Sequence, residues 1–568
     1  MDGLEFIAAS PPALPDPARA DIGCFAGFVA RHRTSGLRPE ENNGPGRAKA
    51  LRRLLPNWCY EWLRERGWLP AADDCSQAEF DRLLGLLDLP VPIDSWEAFD
   101  ALFAWDKRKI EADAPPSSIR YSDTWLGAAV RSFFAQGGRK CYVIRAGDPW
   151  PALSSRAERV GPDHQSAAGA LLSELVVSPA DRSSWHGVTH LFGLPDVSFL
   201  CLPDLPDLFA TETRRQEIEL AAPAEEQFVE CAERAAPSSF QPLRSVPAPR
   251  CDENGYVEWA IFVNRVASVI ERFCREVQLI AAVPLPVNEA ALRNDPALWN
   301  LSLRARQAAV ADRVQQTRAQ QWNRVAAIQT VFVQLAYPWL RTRNAAAVPE
   351  GIESPDGVLA GLLANAALTR GAWRSAARQF VPALLEVEPI LTREELDKPL
   401  PFHGESRDRP RRSLRERVTL FGPSAAGFRL LSDVTMDDDD AWRPASLNRL
   451  MNLIVRAARL AGEQFVFANN GEQLWAQLRG ALISLLSLLW ADGALEGASP
   501  ADAFDVRCDR TTMTQADLDA GRLVARVSFT SAAPIERFVV LLALSEGGQV
   551  SLLPTRRDDN AELPLEAA

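Results

Sequence analysis

Residues 446–568 carry the most regular hydrophobic pattern of the chain. Apolar side chains recur at helical spacing from Leu447 to Ala461, and a leucine repeat over 472–490 gives a second helix one apolar face. Residues 523–529 then alternate between apolar and polar side chains, which is typical of a half-buried strand, and the apolar run 538–544 predicts a last strand. The segment therefore predicts two helices followed by two strands.

Upstream of this segment, short apolar runs alternate with amphipathic stretches. The runs predict strands at 22–30, 141–145, 197–202 and 278–285. The amphipathic stretches predict helices at 125–134, 165–175, 257–277 and 303–335, with a further helix start at 95–99. Alternating helices and strands favour an α/β fold, here mixed with α+β character.

Charge and targeting signals exclude several classes of protein. With 62 basic and 74 acidic residues the net charge is −12, which argues against a nucleic-acid binder. The apolar run 481–490 is shorter than the roughly 20 residues that cross a bilayer, so no membrane insertion is expected. No signal peptide is evident at the N-terminus, which favours synthesis and assembly in the cytoplasm of a bacterial cell. The nine cysteines form no CxxC pair and predict reduced, buried thiols.

Motifs for chemistry are weak, and we expect no catalytic residue, cofactor site or metal site. His186 and His190 have metal-ligand spacing, but Gly187 stands where a metalloprotease carries its glutamate. Ser424 has one residue too many before the next glycine to form a nucleophile elbow. The four-Asp run 437–440 lacks the spacing of a calcium loop. A metal-dependent hydrolase that uses these histidines or aspartates stays open as an alternative.

The basic loop 405–417 is a candidate contact surface. It predicts contact residues at Arg407, Arg409, Arg411 and Arg412. Glu472 and Arg479, on the predicted helix over 472–490, are candidates for a surface that faces a partner.

A series of short segments resembles the contractile phage tail sheath family in order and spacing. In the C-terminal part these are 465–470, 474–475, 489–497, 503–509, 521–523 and 534–540. Upstream they are 25–28, 95–99, 126–130, 133–145, 336–340 and 370–373. The resemblance covers most of the chain.

The resemblance implies a structural subunit of a contractile injection system and no enzyme. Such sheaths are homo-oligomers that stack hexameric rings helically around an inner tube protein, between baseplate and cap proteins. They assemble inside the cell and end as part of a phage tail or an extracellular phage tail-like particle. They contract once and drive the tube into a target. The N-terminal arm and the central tract depart from the sequence pattern of this family. A second hypothesis therefore stays open, namely a non-contracting adaptor at the baseplate or cap end.

Terminal strands link neighbouring subunits in this family, and the resemblance assigns that role to two segments. The inter-subunit strand is expected at Phe538, Val539, Val540, Leu541 and Leu542. The weaker partner strand is expected in the N-terminal arm, which departs from the family pattern, at Leu4, Phe6 and Ile7.

Composition and resemblance together divide the chain into segments around a sheath-type core. The core is expected to combine 21–34 and 91–204 with a C-terminal core domain and strand arm at 446–568. The remaining segments are an extended arm at 1–20, a helical insertion at 35–90, an inserted mixed domain with a long helix at 205–345, and a central tract with the basic loop at 346–445.

Overall fold

The structure is a computed structural model of the 568-residue chain. It describes residues 19–32, 44–70, 75–113, 115, 119–154, 162–173, 178–211, 246–287, 328–397, 412–437, 439–463, 471–519, 522–532, 537–544 and 550–553.

The described strands are numbered in chain order. They are β1 Gly23–Phe28, β2 Ala30–Arg31, β3 Pro90–Ile93, β4 Phe103–Ala104, β5 Arg108–Lys109, β6 Tyr121–Ser122, β7 Cys141–Gly147, β8 Phe199–Cys201, β9 Arg250–Cys251, β10 Gln278–Ala282, β11 Leu285–Pro286, β12 Val333–Tyr337, β13 Trp339–Thr342, β14 Leu384–Glu388, β15 Thr419–Ser424, β16 Gly427–Leu430, β17 Phe504–Arg507, β18 Leu523–Thr530, β19 Arg537–Leu544 and β20 Val550–Leu553.

The described α-helices are numbered in the same way. They are α1 Gly44–Leu54, α2 Asn57–Glu65, α3 Gln77–Leu84, α4 Trp96–Leu102, α5 Trp125–Ala135, α6 Pro162–Leu171, α7 Leu205–Leu208, α8 Glu253–Phe273, α9 Pro355–Arg370, α10 Arg393–Asp397, α11 Ala445–Glu463, α12 Glu472–Ala491, α13 Pro500–Ala503 and α14 Gln515–Asp519. Four 3₁₀ turns lie at Arg182–Ser184, Gly187–Gly193, Pro349–Gly351 and Leu414–Glu416.

A mixed sheet of eight strands forms the larger part of the molecule. Its order is β16-β15-β12-β10-β8-β1-β7-β3, in which the six inner strands run parallel and β3 and β16 run antiparallel at the edges. The strands come from several of the predicted segments, since β10 and β12 belong to 205–345 and lie inside the sheet. The predicted α/β fold with mixed character is confirmed.

Helices cover both faces of this sheet, because its central strands are apolar on both sides. In β1, Cys24 and Ala26 face a core that α8 completes, whereas Phe25 faces a core built with α5 and α9. Helices α1–α3 add Leu51 and Phe80 to that second core. Strands buried on both faces have near-continuous apolar runs in their sequence, which is the pattern that predicted these strands.

Local signals fix several helix starts as predicted. The Ser95 hydroxyl accepts a hydrogen bond from the Ala98 N–H at 3.2 Å, and the Thr124 hydroxyl accepts one from the Gly127 N–H at 3.1 Å. These side chains satisfy amide donors that have no partner inside the helix. The predicted starts of α4 and α5 are therefore confirmed.

The predicted helix over 303–335 is wrong at its end. Residues Val333–Tyr337 form β12, a fully buried inner strand that pairs with β10 and β15. Their apolar side chains serve both faces of the sheet, and a short apolar run cannot be assigned to helix or strand by spacing alone. The arginines of 304–324 lie outside the described residues.

The described cysteines agree with the predicted buried thiols. Eight are free and buried, and Cys231 lies outside the described residues. Burial raises the pKa of Cys59 and of Cys508 to about 12. A thiol held in its protonated form is a poor nucleophile.

Side chains fill the crevice between the parallel strands β1 and β8, where the order in which the chain adds strands to the sheet reverses. In doubly wound sheets ligands bind at the carboxyl ends of the strands at this point. Here the Asp204 carboxylate accepts a hydrogen bond from the Phe28 N–H at 2.8 Å, and Trp150 packs on the Phe28 ring at 5.0 Å between ring centroids. A β-carbon at Gly27 would lie 2.1 Å from the Asp204 carboxylate.

A buried glutamate next to α5 makes the stability of the fold depend on pH. Glu353 accepts hydrogen bonds from the hydroxyls of Ser132 (2.7 Å) and Thr342, and burial raises its pKa to about 7. The folded state therefore holds this proton more tightly than the unfolded state, whose glutamates titrate near pH ~4.3. Its contribution to stability is full below that pH and is lost as the pH rises to about 7.

We expect the change Glu353→Gln to remove this pH dependence. As the pH rises from about 4.5 to about 8, the wild type should lose on the order of 3 kcal/mol of its free energy of unfolding relative to the variant, which lacks the titrating carboxyl group. Urea titrations at several pH values measure it. Glu386→Gln, at an exposed ion pair with Arg341, is the control and should leave the curve parallel to the wild type. A parallel curve for Glu353→Gln would contradict the prediction.

Candidate assembly site

The C-terminal part forms a separate antiparallel sheet in the order β17-β18-β19-β20. The ladder between β18 and β19 runs over eight residue pairs, from Leu523 opposite Leu544 to Thr530 opposite Arg537. Helices α11 and α12 pack with this sheet around one core, to which they contribute Leu450, Leu478 and Leu482. The predicted order of two helices followed by strands is confirmed, with β17 added between them.

The predicted inter-subunit strand lies inside this sheet. Phe538, Val539, Val540, Leu541 and Leu542 belong to β19, which pairs with β18 on one side and β20 on the other. Leu542 is fully buried. The backbone of β19 is therefore paired within the chain, and the outer strands of the described sheet are β17 and β20. The exchange role of these five residues stays a prediction.

The other predicted contact residues are placed as follows. Leu4, Phe6 and Ile7 lie outside the described residues, as do Arg407, Arg409 and Arg411. Arg412 is nearly buried and donates a hydrogen bond to Asp440 at 2.9 Å, so the basic loop meets the four-Asp run through this pair. Glu472 and Arg479 are exposed on α12.

Helix α12 has one buried and one open side. Leu474, Trp475, Leu478, Leu482, Leu486 and Leu489 are buried. On the open side Glu472 and Arg479 are the charged residues, and Leu488 is 52% exposed. By length and composition the helix is apolar enough to cross a membrane, a test that core helices of soluble proteins also pass. Its leucine face belongs to the core of the C-terminal sheet.

A buried ion pair joins the C-terminal part to the large sheet. Arg449 of α11 binds both carboxylate oxygens of Asp433, at 2.7 and 3.1 Å, and the two side chains are 4% and 0% exposed. Asp433 also accepts hydrogen bonds from the Ala376 N–H at 2.8 Å and from the Gln334 amide at 2.9 Å. Burial alone would raise the pKa of Asp433, but the charge and hydrogen bonds of Arg449 lower it below its usual value.

Two further arginines of α11 bind the start of the parallel strands. The Arg456 guanidinium donates to the Val197 carbonyl at 2.6 Å and to the Ser198 hydroxyl at 3.0 Å, just before β8, and also to the Arg19 carbonyl before β1. Arg459 pairs with Glu276 before β10. Burial lowers the pKa of Arg456 to about 10, so the side chain stays charged at neutral pH.

We call Asp433, Arg449, Arg456 and Arg459 the interdomain joint. Charged groups are costly to bury unless they are paired, and guanidinium groups with several fixed donors satisfy carbonyls and carboxylates at once. The joint therefore holds α11 across the amino ends of β1, β8 and β10 in one orientation. Sequence reasoning missed it, although arginines at positions 449, 456 and 459 recur on one side of the helix next to its leucine stripe.

The two candidate metal-ligating histidines share one carboxylate. Asp88 binds His186 Nδ1 at 2.7 Å and His190 Nε2 at 3.0 Å, and it accepts a hydrogen bond from the Gly187 N–H at 2.8 Å. Burial raises the pKa of Asp88, and the histidine contacts outweigh it and lower the pKa to about 2. Neither these three side chains nor any other group of His, Cys, Asp and Glu among the described residues is arranged so that it could hold a metal ion.

Comparison with known proteins identifies the C-terminal part. The family described as phage tail sheath C-terminal domain matches residues 437–545, which include α11, α12 and β17–β19. No curated protein matches the chain.

Three solved assemblies are similar to the chain. The anti-feeding prophage baseplate is 15% identical with a TM-score of 0.49, covering 94% of this chain and 96% of that chain. The contracted helical sheath of the anti-feeding prophage is 16% identical with a TM-score of 0.46, covering 94% and 98%. The contracted PVC sheath complex of an extracellular contractile injection system is 17% identical with a TM-score of 0.43, covering 79% and 84%.

The match to the family model lies in the C-terminal part of the chain. That match confirms the predicted resemblance where the sequence pattern is most regular. Residues 437–545 of this chain are similar to the family described as phage tail sheath C-terminal domain.

Proposed function

We propose that the chain is a structural subunit of the sheath of a contractile injection system. It polymerises as stacked hexameric rings around an inner tube and contracts to drive the tube into a target cell. The observation that carries the proposal is the sheath C-terminal domain at 437–545, which coincides with a folded unit of two helices and an antiparallel sheet. Subunits that bind one another head to tail, through two different surfaces, build helical polymers when the ring does not close.

The outer edge of β20 is the best place for the link between subunits. A strand at the edge of a sheet presents unpaired N–H and C=O groups that a strand of a neighbour can pair with. Strand β19 is already paired on both sides, so Phe538 to Leu542 would support the linking edge from inside the sheet. The arm that carries Leu4, Phe6 and Ile7 would supply the added strand.

The interdomain joint suits a subunit that moves as a unit. In a contracting sheath, linked domains must carry force from ring to ring without separating. The two buried ion pairs of the joint resist rearrangement, because a shift would separate Arg449 from Asp433 or Arg459 from Glu276 and leave a buried charge without its partner. We propose that α11 transmits force between the C-terminal sheet and the large sheet.

The remaining contacts follow from this placement. The open side of α12, with Glu472 and Arg479, would face the inner tube protein, and Arg407, Arg409 and Arg411 would contact a partner. The predicted contact role of Arg412 is not supported, because its side chain is buried and paired with Asp440 within the chain. Baseplate and cap proteins would bind at the two ends. Assembly would take place in the bacterial cytoplasm, before release as part of a phage tail or an extracellular particle. The division into segments stays a prediction, and the proposed role requires no catalysis or cofactor.

Expression of the full chain with its tube partner tests the function. We expect long striated tubes of constant diameter with six-fold rings in negative-stain electron micrographs. The same chain without the tube should give shorter or contracted polymers. Single closed rings that never stack would favour the non-contracting adaptor at the baseplate or cap end. Monomers under all of these conditions would contradict both roles.

A further inference from the structure

A pocket with tryptophan walls lies between α2 and the 3₁₀ turns before β8. Its volume is about 170 Å³, its surface is mostly apolar, and its lining includes Trp62, Trp68, Trp185, Pro90 and Leu194. A cavity of roughly 150 Å³ with apolar walls holds a benzene ring. The pocket therefore has room for a smaller ring, such as the five-membered ring of a proline side chain.

Contacts within the chain hold the walls of this pocket in place. The Arg182 guanidinium lies 3.6 Å from the centre of the Trp68 ring and donates a hydrogen bond to the Arg66 carbonyl. Arg66 in turn donates to the Gly193 carbonyl at 3.3 Å. Because both arginines already bind backbone carbonyls, they fix the end of α2 against the 3₁₀ turns, and the pocket offers a ligand its apolar wall. A wall that is ordered before binding costs little conformational entropy when a ligand enters.

Aromatic-lined grooves are the sites that bind proline-rich segments. Such segments favour the polyproline II helix, which has three residues per turn and loses little entropy on binding. The chain itself contains such a segment, since residues 11–17 are PPALPDP, with four prolines. Pro12 and Pro15 are three residues apart, so a polyproline II helix would present both rings on one side. They also match the P-x-x-P pattern that aromatic grooves recognise.

The first described residue, Arg19, is linked to the wall of the pocket. The Arg456 guanidinium binds the carbonyl of Arg19 and the carbonyl of Val197. The Val197 N–H donates to the carbonyl of Leu194, which lines the pocket, at 3.2 Å. These links together are shorter than the roughly 22 Å that the seven residues from Pro12 to Arg19 span as a polyproline II helix. The arm of the same chain is therefore long enough to reach the pocket.

We propose that residues 11–17 dock in this pocket of their own chain as a polyproline II helix, with a ring of the Pro12 and Pro15 pair among the tryptophans. Docking fixes the base of the N-terminal arm beside the amino ends of β1 and β8. Leu4, Phe6 and Ile7 then leave the subunit from a defined place. The inference concerns a single subunit, so it does not depend on the proposed polymer.

A fluorescently labelled peptide of residues 9–18 tests the proposal on the full-length chain. The variant with Pro12→Gly and Pro15→Gly opens the pocket, because glycine frees the backbone that proline fixes. We expect this variant to bind the peptide with a Kd on the order of 0.1 mM, measured by fluorescence anisotropy. The wild type should bind it about tenfold more weakly, because its own arm competes at an effective concentration in the millimolar range.

Two controls locate the contact. Within the glycine variant, Trp62→Ala removes a wall of the pocket and should abolish peptide binding, whereas Trp58→Ala removes an exposed tryptophan of the same helix and should leave it unchanged. A peptide that carries the two proline-to-glycine changes should bind about tenfold more weakly, a result that needs no further change in the protein. Circular dichroism checks that the protein variants are folded.

Four results would overturn the proposal. They are no saturation of the glycine variant up to about 2 mM peptide, equal affinity of the glycine variant and the wild type, equal affinity of the two peptides, and binding that survives Trp62→Ala in a folded protein. Dilution of the wild type separates the two sources of the arm. Peptide binding that strengthens on dilution would assign the pocket to the arm of a second copy and exclude docking within one chain.

Discussion

Replacing Asp433 with alanine should lower the free energy of unfolding by about 3–5 kcal/mol, because it leaves the buried Arg449 guanidinium without its counter-charge. The carboxylate and the guanidinium are 0% and 4% exposed, so water cannot replace the lost contacts. The Ala376 N–H and the Gln334 amide lose their acceptor in the same change. Urea unfolding followed by far-UV circular dichroism measures the effect.

Asp505→Ala is the matched control, because it removes an aspartate from an exposed ion pair with Arg507. Exposed pairs of this kind contribute less than about 1 kcal/mol, so its unfolding curve should stay close to that of the wild type. The double change Asp433→Leu with Arg449→Met removes both charges and should recover part of the loss. A loss for Asp433→Ala no larger than that of the control would show that the joint does not hold the two parts together.

The fold was predictable where one pattern dominates a segment. The leucine repeat of α12, the alternation of β18 and the apolar runs of β1 and β10 each favour one structure, and all four are confirmed. The order of strands in the large sheet was not predictable. It depends on pairings between distant segments, such as β15 beside β12, for which a single sequence carries no local signal.

The candidate site was less predictable than the fold. The residues that join α11 to the large sheet are charged, and charged residues on an amphipathic helix are normally assigned to the solvent side. The burial of Arg456 becomes evident only when the carbonyls of Arg19 and Val197 are brought to it, from more than 250 residues away along the chain.

Ending the chain after Leu544 should abolish polymer formation and leave a folded, soluble monomer. This cut removes β20, the outer strand of the C-terminal sheet, and keeps the full ladder between β18 and β19. A cut after Pro534 is less informative, because it also removes β19 and uncovers the core around the fully buried Phe529. Loss of assembly after that cut would follow from misfolding as well as from a missing link.

Negative-stain microscopy and sedimentation measure polymer, and circular dichroism with a thermal scan checks the fold of the monomer. Ending the chain after Leu553 is the control, since it keeps β20 and removes only the residues beyond it; this chain should polymerise like the wild type. Deleting residues 1–10, with Leu4, Phe6 and Ile7, should also block assembly, because it removes the strand that is proposed to pair with β20 of the neighbouring subunit. Polymer of normal length from the chain that ends at Leu544 would exclude β20 as the link, and would leave the edge at β17 as the place where a neighbour adds its strand.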